Sequence, residues 1–440
     1  MDTISAISTP YGSGGVAVVR ISGPEAIAVA ERVTCPLQGA KPFTVRHTWL
    51  RRGDEVLDEV LVSVFRAPHS FTGEDVVEIA CHGSLYIQQE VLRWLTDAGA
   101  RIAKAGEFTQ RAFLNGKMDL TQAEAVADLI AAETKAEKEL ALSQLRGGIS
   151  SELASLRERL LHFTSLIELE LDFADHEELE FADRSELKAL AAEIARKLTD
   201  LTASFRTGNA IKNGIPVAIA GATNAGKSTL LNALLGEERA IVSDVHGTTR
   251  DTVEDTLVID GVLFRFIDTA GIRETTDSVE AKGIARSRQA IEKAQIVLYV
   301  RDLTQLEIDE ITEFGQEKTV ITVWNKADLG KRETCFSKNP SICLSALNGE
   351  VSELKWLLVE TAKGLFHYNG TVISNARHYE ALTRALDAIQ RVQEGLAINQ
   401  SGEFLSMDLQ DCLAALGEIT GQITSQEVLN NIFSKFCIGK

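Results

Sequence analysis

The sequence predicts a chain of α/β and α class, in which an N-terminal α+β domain precedes a helical domain and an α/β domain interrupts that helical domain. Short strand-like runs occupy residues 1–117. Helical periodicity fills residues 119–201 and returns after residue 370. Between the two helical stretches, a glycine-rich loop at residues 221–228 follows an apolar run. We therefore expect four segments, of which the second and fourth form one helical domain: 1–117, 118–211, 212–370 and 371–440.

Length and composition indicate a cytoplasmic protein of about two to four domains. Of the 440 residues, 45% are hydrophobic and 25% charged. No signal-peptide pattern follows Met1, and no apolar stretch is long enough to span a bilayer, so we expect no membrane span. The six cysteines show no paired spacing, which favours reduced thiols. A formal charge of −18 argues against broad sequence-independent binding to nucleic acid, although a local basic patch stays open.

The N-terminal segment shows strand and helix patterns but no decisive chemistry. Residues 16–21, 60–65 and 75–80 are predicted strands, and residues 86–98 a predicted helix. The glycine cluster at 11–15 would suit a ligand loop, yet a plain turn is favoured. Four charged residues lie in stretches without a recognisable motif, and the sequence alone favours surface or helix-capping roles for them: Arg20, Glu78, Arg111 and Lys117.

Helix starts in the helical segments are predicted from capping boxes, in which a small polar residue precedes a Glu by three positions. These boxes are Thr121 with Glu124, Asp183 with Glu186, and Thr424 with Glu427. An acidic run covers residues 168–186. A cation site there is conceivable, but a solvated connector between helices is favoured.

The glycine-rich loop matches a phosphate-binding pattern. Gly221 and Gly226 allow a tight turn in which backbone N–H groups converge on phosphate oxygens. Lys227 would reach the outer phosphates, and Ser228 would place its hydroxyl on Mg²⁺. A strand at 216–220 and a helix beginning after the loop supply the required order of elements. The predicted nucleotide contacts in this stretch are Asn224, Ala225, Gly226, Lys227, Ser228 and Thr229.

Four further stretches follow at the distances expected of a GTP site. Thr249 would complete the Mg²⁺ shell only while the terminal phosphate is present, which is typical of a switch segment. Asp268 would hold the water shell of the metal, and Gly271 would offer its N–H to that phosphate. Asp328 has two oxygens suited to the N1–H and 2-amino group of guanine, which adenine lacks. The predicted GTP contacts here are Ser243, Asp244, Val245, His246, Gly247, Thr248, Thr249, Asp268, Thr269, Ala270, Gly271, Asn325, Lys326, Ala327, Asp328, Ser345, Ala346 and Leu347.

Together these stretches resemble the translation-factor-like class of P-loop GTPases, and the whole chain resembles the MnmE (TrmE) family of tRNA-modifying GTPases. The family resemblance is carried by residues 19–23, 106–117 and 436–440, outside the nucleotide motifs. It implies a Ras-like GTPase domain and an N-terminal domain similar to the folate-binding folds of one-carbon enzymes. Thr223 departs from the family, which usually has Pro at this position. Binding should survive, because Thr supplies the same backbone N–H.

Hydrolysis must differ from that of Ras-type enzymes, in which a Gln after the Asp-x-x-Gly motif orients the attacking water. Ile272 stands at that position and cannot form a side-chain hydrogen bond. The resemblance implies that Glu280 orients the water, with a helix-capping role as the alternative. It also implies a K⁺ ion that offsets charge between the phosphates when two GTPase domains face each other. The implied K⁺ ligands are Asn224, Ser243, Val245 and Thr248.

The outer segments acquire roles only through the resemblance. The N-terminal domain would form a homodimer and bind 5-formyl-tetrahydrofolate or a related tetrahydrofolate. The implied folate contacts are Arg20, Glu78, Lys117 and Lys440. Cys437 would lie close to the folate, where its role as a catalytic nucleophile, a packing residue or a tRNA contact stays open; a buried unreactive thiol is an equal alternative.

The function implied is that of a K⁺-activated GTPase acting with an FAD- and NADH-dependent partner, MnmG (GidA), in a heterotetramer or larger assembly. The pair would install an aminomethyl or carboxymethylaminomethyl group at carbon 5 of the wobble uridine of certain tRNAs. A ribosome-assembly GTPase that binds RNA is the alternative, but such proteins usually carry a basic RNA-binding module and none is evident. For a signalling GTPase that only scaffolds partners, the folate-like domain would be superfluous.

Overall fold

The structure is a computed structural model, and it describes residues 2–37, 39–172, 183–236, 255–267, 289–305, 318–329, 339–365 and 371–439. The chain divides into two compact units. The first unit comprises Met1–Ile130, Leu142–Ala191 and Asp387–Lys440, and the second comprises Ala131–Ala141 and Ala192–Leu386. The unit boundaries fall within helices, so the limits of the four predicted segments stay predictions.

The first unit contains a six-stranded sheet of order β3-β4-β5-β2-β1-β6. Neighbouring strands are antiparallel, except that β1 and β6 run parallel. Its elements are β1 (Ile4–Ile7), β2 (Gly14–Ser22), α1 (Ala26–Glu31), β3 (Thr44–Arg52), β4 (Glu55–Phe65), β5 (Val76–Gly83), α2 (Leu85–Asp97), β6 (Arg101–Ile102) and α3 (Glu107–Leu114). The three predicted strands lie in β2, β4 and β5, and the predicted helix is α2, so these predictions are confirmed.

Strand alternation decides which side chains of this sheet form its core. Val19 and Ile21 of β2 are fully buried, because alternate residues of a strand point to the same face. They join Trp94 of α2 in one apolar cluster. Burying a large apolar side chain contributes about 1.5–3 kcal/mol. Arg20 and Glu78 occupy opposed positions of β2 and β5, out of phase with these core residues. The register therefore pairs the two charges.

The helical elements of the described chain are α4 (Leu120–Ala131), α5 (Lys135–Leu145), α6 (Gly148–Asp172), α7 (Arg184–Asn213), α10 (Ala376–Ala397), α11 (Gly402–Thr420) and α12 (Gln426–Ser434). In the first unit, Gln410 of α11 donates to the carboxylate of Glu168 on α6, at 2.6 Å. Arg391 of α10 donates to Asp408 and Asp411 of α11 at 2.6 and 2.8 Å. Polar pairs thus join neighbouring helices at the surface.

The helix starts correct two of the three predicted capping boxes. At α4 the box is formed by Asp119 and Gln122: Gln122 N donates to Asp119 Oδ1 (2.9 Å), and Asp119 N donates to Gln122 Oε1 (3.0 Å). At α12 the cap is Ser425, which accepts from the backbone N–H of Val428. The prediction for Asp183 is confirmed, since its Oδ1 accepts from the N–H of Ser185. Neighbouring polar residues compete for one cap, and the spacing rule did not choose between them.

The second unit contains a six-stranded sheet of order β12-β11-β10-β7-β9-β8. Its strands are parallel except for the antiparallel pair β8–β9. The elements are β7 (Ile215–Ala220), α8 (Lys227–Gly236), β8 (Asp255–Ile259), β9 (Val262–Phe266), β10 (Ile296–Asp302), β11 (Thr319–Asn325), β12 (Ser341–Cys343) and α9 (Ser352–Leu365). Side chains of β7, β10 and β11 share an apolar cluster with α8 and α9. Such near-continuous burial is typical of a parallel sheet covered by helices.

Two sequence expectations about membrane and redox context can be compared with the structure. In the described residues, none of the helices combines the length and apolar character needed to cross a membrane. The thiols of Cys35, Cys81, Cys412 and Cys437 are free. Cys343 is disulfide-bonded, so the expectation of reduced thiols is wrong at this position. Paired-cysteine spacing does not reveal a disulfide that the fold brings together.

Candidate nucleotide-binding site

The predicted phosphate loop connects the carboxyl end of β7 to the start of α8. Gly221 has φ +143° and Gly226 has φ +93°, both in the range that favours glycine. A Cβ on Gly221 would lie 2.1 Å from the carbonyl oxygen of Val300, and one on Gly226 would lie 2.1 Å from Nδ2 of Asn325. A side chain at position 221 would therefore collide with the backbone of β10, and one at position 226 would collide with the side-chain amide of Asn325. The two glycines therefore allow the loop to pack against β10 and β11.

Inside the loop, Asn224 adopts a left-handed backbone conformation with φ +65°. Asn tolerates this conformation better than most residues. The N–H of Ala225 donates to the carbonyl of Ala222 at 3.3 Å, which closes the turn. Thr223, the departure from the family pattern, lies in this exposed turn. The loop forms with Thr in place of Pro.

Lys227 bonds to the loop that precedes it. Its ammonium donates to the carbonyls of Gly221 (2.9 Å) and Ala222 (2.8 Å). Burial lowers the pKa of Lys227 below its ordinary value, because desolvation disfavours the charged form. A phosphate near this ammonium would oppose that shift by stabilising the positive charge. Ser228 and Thr229 follow in the first turn of α8, where backbone N–H groups favour anions.

The opposite end of the candidate site is built around the buried Asn325. Its Nδ2 donates to the carbonyl of Ala225 in the phosphate loop at 2.9 Å. Its Oδ1 accepts from the N–H of Ala346 at 3.0 Å. One amide thus joins the phosphate loop to the loop after β12, and both halves of the amide are satisfied. Since Asn325 ends β11, the strand itself positions this connection.

Asp328 lies in the turn that follows Asn325. Ser345 Oγ donates to Asp328 Oδ1 at 2.7 Å. Two backbone bonds shape the turn: Ala327 N donates to Leu344 O (3.1 Å), and Leu329 N donates to Lys326 O (2.9 Å). The carboxylate of Asp328 is therefore oriented from the neighbouring loop. Leu347, in that loop, is largely exposed.

The structure brings together the predicted residues that it describes in the second unit. Asn224–Thr229, Asn325–Asp328 and Ser345–Leu347 lie at the carboxyl ends of β7, β11 and β12, where parallel sheets bind ligands. The remaining predicted residues of this site lie outside the described chain: Ser243, Asp244, Val245, His246, Gly247, Thr248, Thr249, Asp268, Thr269, Ala270, Gly271 and Glu280. Their proximity to the phosphate loop stays a prediction.

One residue at this site was missed by the sequence reasoning. Asp302 ends β10, and its Oδ2 lies 2.7 Å from the ammonium of Lys326. A signal was present, because the apolar run 296–300 is followed by a polar pair, as the predicted strand 320–324 is followed by Asn325 and Lys326. It was not recognised because no phosphate- or base-binding motif includes this position.

The first unit contains the predicted folate residues. Arg20 and Glu78 form an ion pair at 2.8 Å. The guanidinium carbon of Arg20 lies 5.5 Å from the ring centre of Phe71 and 5.7 Å from that of Phe108. Lys117 donates to the carbonyl of Pro68 at 2.9 Å. The half-buried pair thus has aromatic neighbours, a surrounding that sequence reasoning did not detect.

Arg111 is not a surface charge, and that expectation is wrong. Its side chain is 5% exposed and pairs with Asp2 (2.7 Å), Glu74 (3.1 Å) and Glu107 (3.1 Å). Burial alone would raise the pKa of Glu107, but hydrogen bonds from Arg101, Lys104 N and Arg111 lower it overall. Ion pairs of this cluster connect the N-terminal residues, the loop before β5 and helix α3.

The C-terminal residues pack against β1 and the start of α3. Gly106 N donates to Cys437 O at 3.4 Å, and Ser8 Oγ donates to Gly439 O at 3.3 Å. A Cβ on Gly439 (φ +97°) would lie 2.1 Å from the carbonyl oxygen of Ile7. The Cys437 thiol is exposed, so the buried alternative is wrong. Lys440 lies outside the described residues.

The fold and the site of the second unit define a P-loop GTPase domain. Its phosphate loop follows the central strand β7, and its Asn-Lys-x-Asp motif follows β11, two strands away in the sheet. Two family models match the chain: "GTP-binding protein TrmE N-terminus" at residues 3–117 and "MnmE helical domain" at residues 120–437. The chain belongs to the MnmE (TrmE) family, and the predicted resemblance is confirmed.

Relatives across the full length carry one name, "tRNA modification GTPase MnmE". The protein from Parabacteroides distasonis is 54% identical over 462 residues, covering 100% of both chains. That from Porphyromonas gingivalis is 48% identical over 470 residues, covering 100% of this chain and 98% of its own. Among solved structures, the G domain of the T. maritima FeoB iron transporter is 24% identical with a TM-score of 0.25, covering 34% of this chain and 98% of its own. That score adds nothing to the assignment.

Proposed function

We propose that the chain hydrolyses GTP in the course of tRNA modification. The observation that carries the proposal is the bridge made by Asn325 between the phosphate loop and the loop after β12. This bridge supports a site in which Asp328 reads guanine and the phosphate loop holds the phosphates at the same sheet edge. Full-length similarity to proteins named tRNA modification GTPases supports the tRNA part of the proposal.

Mg²⁺ and K⁺ are proposed to assist at the phosphates. Ser228 would bind Mg²⁺ together with Thr249, and a hydroxyl at the start of α8 is a hard oxygen ligand of the kind Mg²⁺ prefers. Asn224 would bind K⁺ with Ser243, Val245 and Thr248. The amide oxygen of Asn224 fits that donor set, and its left-handed backbone is compatible with a specialised loop position. Each ion would supply positive charge where negative charge develops.

The water-orienting group is proposed to be Glu280. Ile272 stands where Ras-type enzymes have Gln, so another polar group is required. A carboxylate accepts a hydrogen bond from the attacking water and thereby orients its lone pair toward phosphorus. Asp268 and Gly271 are proposed to hold the metal's water and the terminal phosphate, respectively.

The first unit is proposed to bind a tetrahydrofolate such as 5-formyl-tetrahydrofolate. Glu78 offers acceptors to the donor groups of a pterin ring, while Arg20, Lys117 and Lys440 offer cations to a glutamate tail. The exposed ring of Phe71 beside Arg20 supports a site for a flat aromatic ligand. Cys437 is proposed to act near this ligand, and its exposed thiol is compatible with that role.

Homodimerisation and a redox partner complete the proposal. Val45 and Trp49 of β3 share one face with Leu61 of β4, because His47, between them, lies opposite Leu61 in register. All three apolar side chains are exposed, which supports a protein contact on this face. The chain has no sequence signature for flavin or NADH, so an FAD- and NADH-dependent partner of the MnmG type is proposed to supply redox chemistry at the tRNA uridine. A cytoplasmic location follows from the tRNA substrate.

Mass spectrometry of tRNA nucleosides tests the proposal. A bacterial strain that lacks its own family member is complemented with this chain, with Asp328→Ala, or with the surface control Arg93→Ala. We expect the wild-type chain and Arg93→Ala to restore the C5-modified wobble uridine, and Asp328→Ala to leave the uridine unmodified. Unmodified uridine with the wild-type chain, at normal expression, would contradict the proposal.

A further inference from the structure

A buried carboxylate that no nucleotide motif includes lies at the proposed guanine end of the site. Asp302 is the last residue of β10 and stands in register with Asn325, the last residue of β11. Its side chain is 7% exposed. Leu303 N donates to Asn325 O at 3.0 Å, so the backbone after Asp302 is joined directly to the Asn-Lys-x-Asp motif.

Each oxygen of this carboxylate has a separate partner. Oδ1 accepts from the backbone N–H of Thr304 (2.9 Å) and from its hydroxyl (2.6 Å). Oδ2 accepts from the ammonium of Lys326 at 2.7 Å. Thr304 thereby holds the carboxylate in one orientation, in which Oδ2 faces Lys326. The arrangement directs a fixed negative charge at one motif residue.

Lys326 needs such a constraint because its backbone is strained. It has φ +64° and is not glycine, and this left-handed conformation is unfavourable for a residue with a side chain. This residue also begins the turn that positions Asp328, since its carbonyl accepts from Leu329 N at 2.9 Å. Strain at a turn that orients a binding group persists only when neighbouring contacts maintain it.

We propose that Asp302 is a positioning residue for guanine recognition: its carboxylate holds Lys326 in the left-handed conformation from which the turn presents Asp328 to the base. This inference rests on the proposed function, because it assumes that Asp328 reads guanine. Under this inference, Asp302 on β10 contributes to the discrimination between guanine and related bases, although the Asn-Lys-x-Asp motif follows β11. Loss of the charge relaxes the turn and weakens the bond to the 2-amino group of guanine.

The exposure of Lys326 separates this role from simple support of the fold. Its side chain is 32% exposed, so without Asp302 the ammonium can turn to solvent. The large destabilisation that follows when a fully buried charge loses its partner is thus avoided. Substitution of Asp302 therefore changes the geometry of the turn, and this change is measured as a loss of selectivity for guanine.

Binding of two nucleotides to the full-length protein tests the inference. GDP and inosine diphosphate differ only in the 2-amino group of the base, and their dissociation constants are measured by displacement of a fluorescent guanine nucleotide. Asp302→Asn keeps the size of the side chain and an oxygen for Thr304, but removes the charge opposite Lys326. We expect a loss of GDP affinity of about tenfold, while the preference for GDP over inosine diphosphate falls at least about threefold. The matched control Glu353→Gln removes a carboxylate charge from an exposed position of α9 and is expected to keep the wild-type preference.

The preference ratio decides the outcome. Equal weakening of both nucleotides in Asp302→Asn, or no change in either, would overturn the inference. Circular dichroism checks that Asp302→Asn is folded. If it is not folded, Asp302→Ser is measured in the same way. A wild-type ratio of the two affinities in Asp302→Ser would likewise overturn the inference. Failure of the proposed function looks different, since the wild-type protein would then bind GDP no better than ADP.

Discussion

The two units of this protein connect distant segments of the chain by different means. In the second unit, Asn325 connects two loops through neutral hydrogen bonds at the ends of parallel strands. In the first unit, Arg111 connects three acidic residues through a buried charge cluster. Both arrangements join segments that are distant in the chain, but Asn325 belongs to a contiguous nucleotide-binding motif and Arg111 does not. We therefore expect the neutral bridge to matter most for binding and the charge cluster to matter most for stability.

Removing the centre of the charge cluster is expected to have the largest effect on stability. Arg111→Met keeps most of the side-chain volume but leaves Asp2, Glu74 and Glu107 without their shared cation. Breaking a buried ion pair costs about 3–5 kcal/mol. We expect the denaturant-induced unfolding transition of the first unit to move to lower denaturant, while GDP binding stays at the wild-type level.

The matched control for that variant is Arg93→Ala. Arg93 pairs with Glu90, but its side chain is 60% exposed, and exposed pairs contribute about 0–1 kcal/mol. If both substitutions shift the transition equally, the buried cluster does not support the fold in the way argued.

Removing the neutral bridge is expected to affect binding more than stability. Asn325→Ala leaves Ala225 O and Ala346 N without the partner that joins their loops, and each lost buried bond costs about 1–3 kcal/mol. We expect GDP affinity to fall at least about 100-fold, measured by isothermal titration calorimetry. Asn348→Ala, in the same loop but at an exposed position, should bind like the wild type. Unchanged GDP binding in Asn325→Ala would show that the bridge is not needed.

The proposed folate site gives a smaller effect and tests whether the first unit binds a ligand at all. Arg20→Ala removes the cation that lies beside Phe71 and Phe108. We expect affinity for 5-formyl-tetrahydrofolate to fall about tenfold, since a charge-assisted hydrogen bond contributes about 1.5–3 kcal/mol. Fluorescence titration measures it, with Arg52→Ala at the edge of the same sheet as the control. No saturable binding by the wild-type protein would remove the folate proposal.

Acid is expected to produce the smallest of these effects in the first unit. The pKa of Glu107 is lower in the folded chain than its ordinary value of 4.5. A carboxyl group shifted in this direction stabilises the folded state above its unfolded pKa, and that contribution is lost as the pH falls toward the folded pKa. Unfolding followed by circular dichroism should show flat stability just above pH 4.5 and declining stability below it. Glu107→Gln should decline less steeply, and an identical slope in the variant would contradict this.

The same contrast explains what could be predicted from the sequence. The phosphate loop and Asn-Lys-x-Asp are contiguous patterns with fixed chemistry, and the structure places both at strand ends. Strands with strict apolar alternation or continuous apolar runs were also found, because their periodicity reflects burial directly. The burial of Arg111 could not be found in this way, because two of its three partners, Asp2 and Glu74, come from distant parts of the chain.

Local competition between similar residues set a second limit. Asp119 caps α4 in place of the predicted Thr121, and Ser425 caps α12 in place of Thr424. Each difference is one or two positions, since adjacent polar side chains can accept from the same free N–H groups. Asp302 was missed because its importance depends on the register between β10 and β11. The sequence of either strand alone does not show which residues of two parallel strands lie side by side.

Hydrolysis of two nucleotides by wild-type protein and Asp328→Asn tests the central claim most directly. The amide of Asn can donate to the 2-keto group of xanthine, whereas the carboxylate of Asp328 accepts from the 2-amino group of guanine. We predict that the wild-type protein hydrolyses GTP and not xanthosine triphosphate, and that Asp328→Asn reverses this preference. Full GTP hydrolysis by Asp328→Asn, or equal hydrolysis of ATP and GTP by the wild type, would contradict the claim that this sheet edge selects guanine.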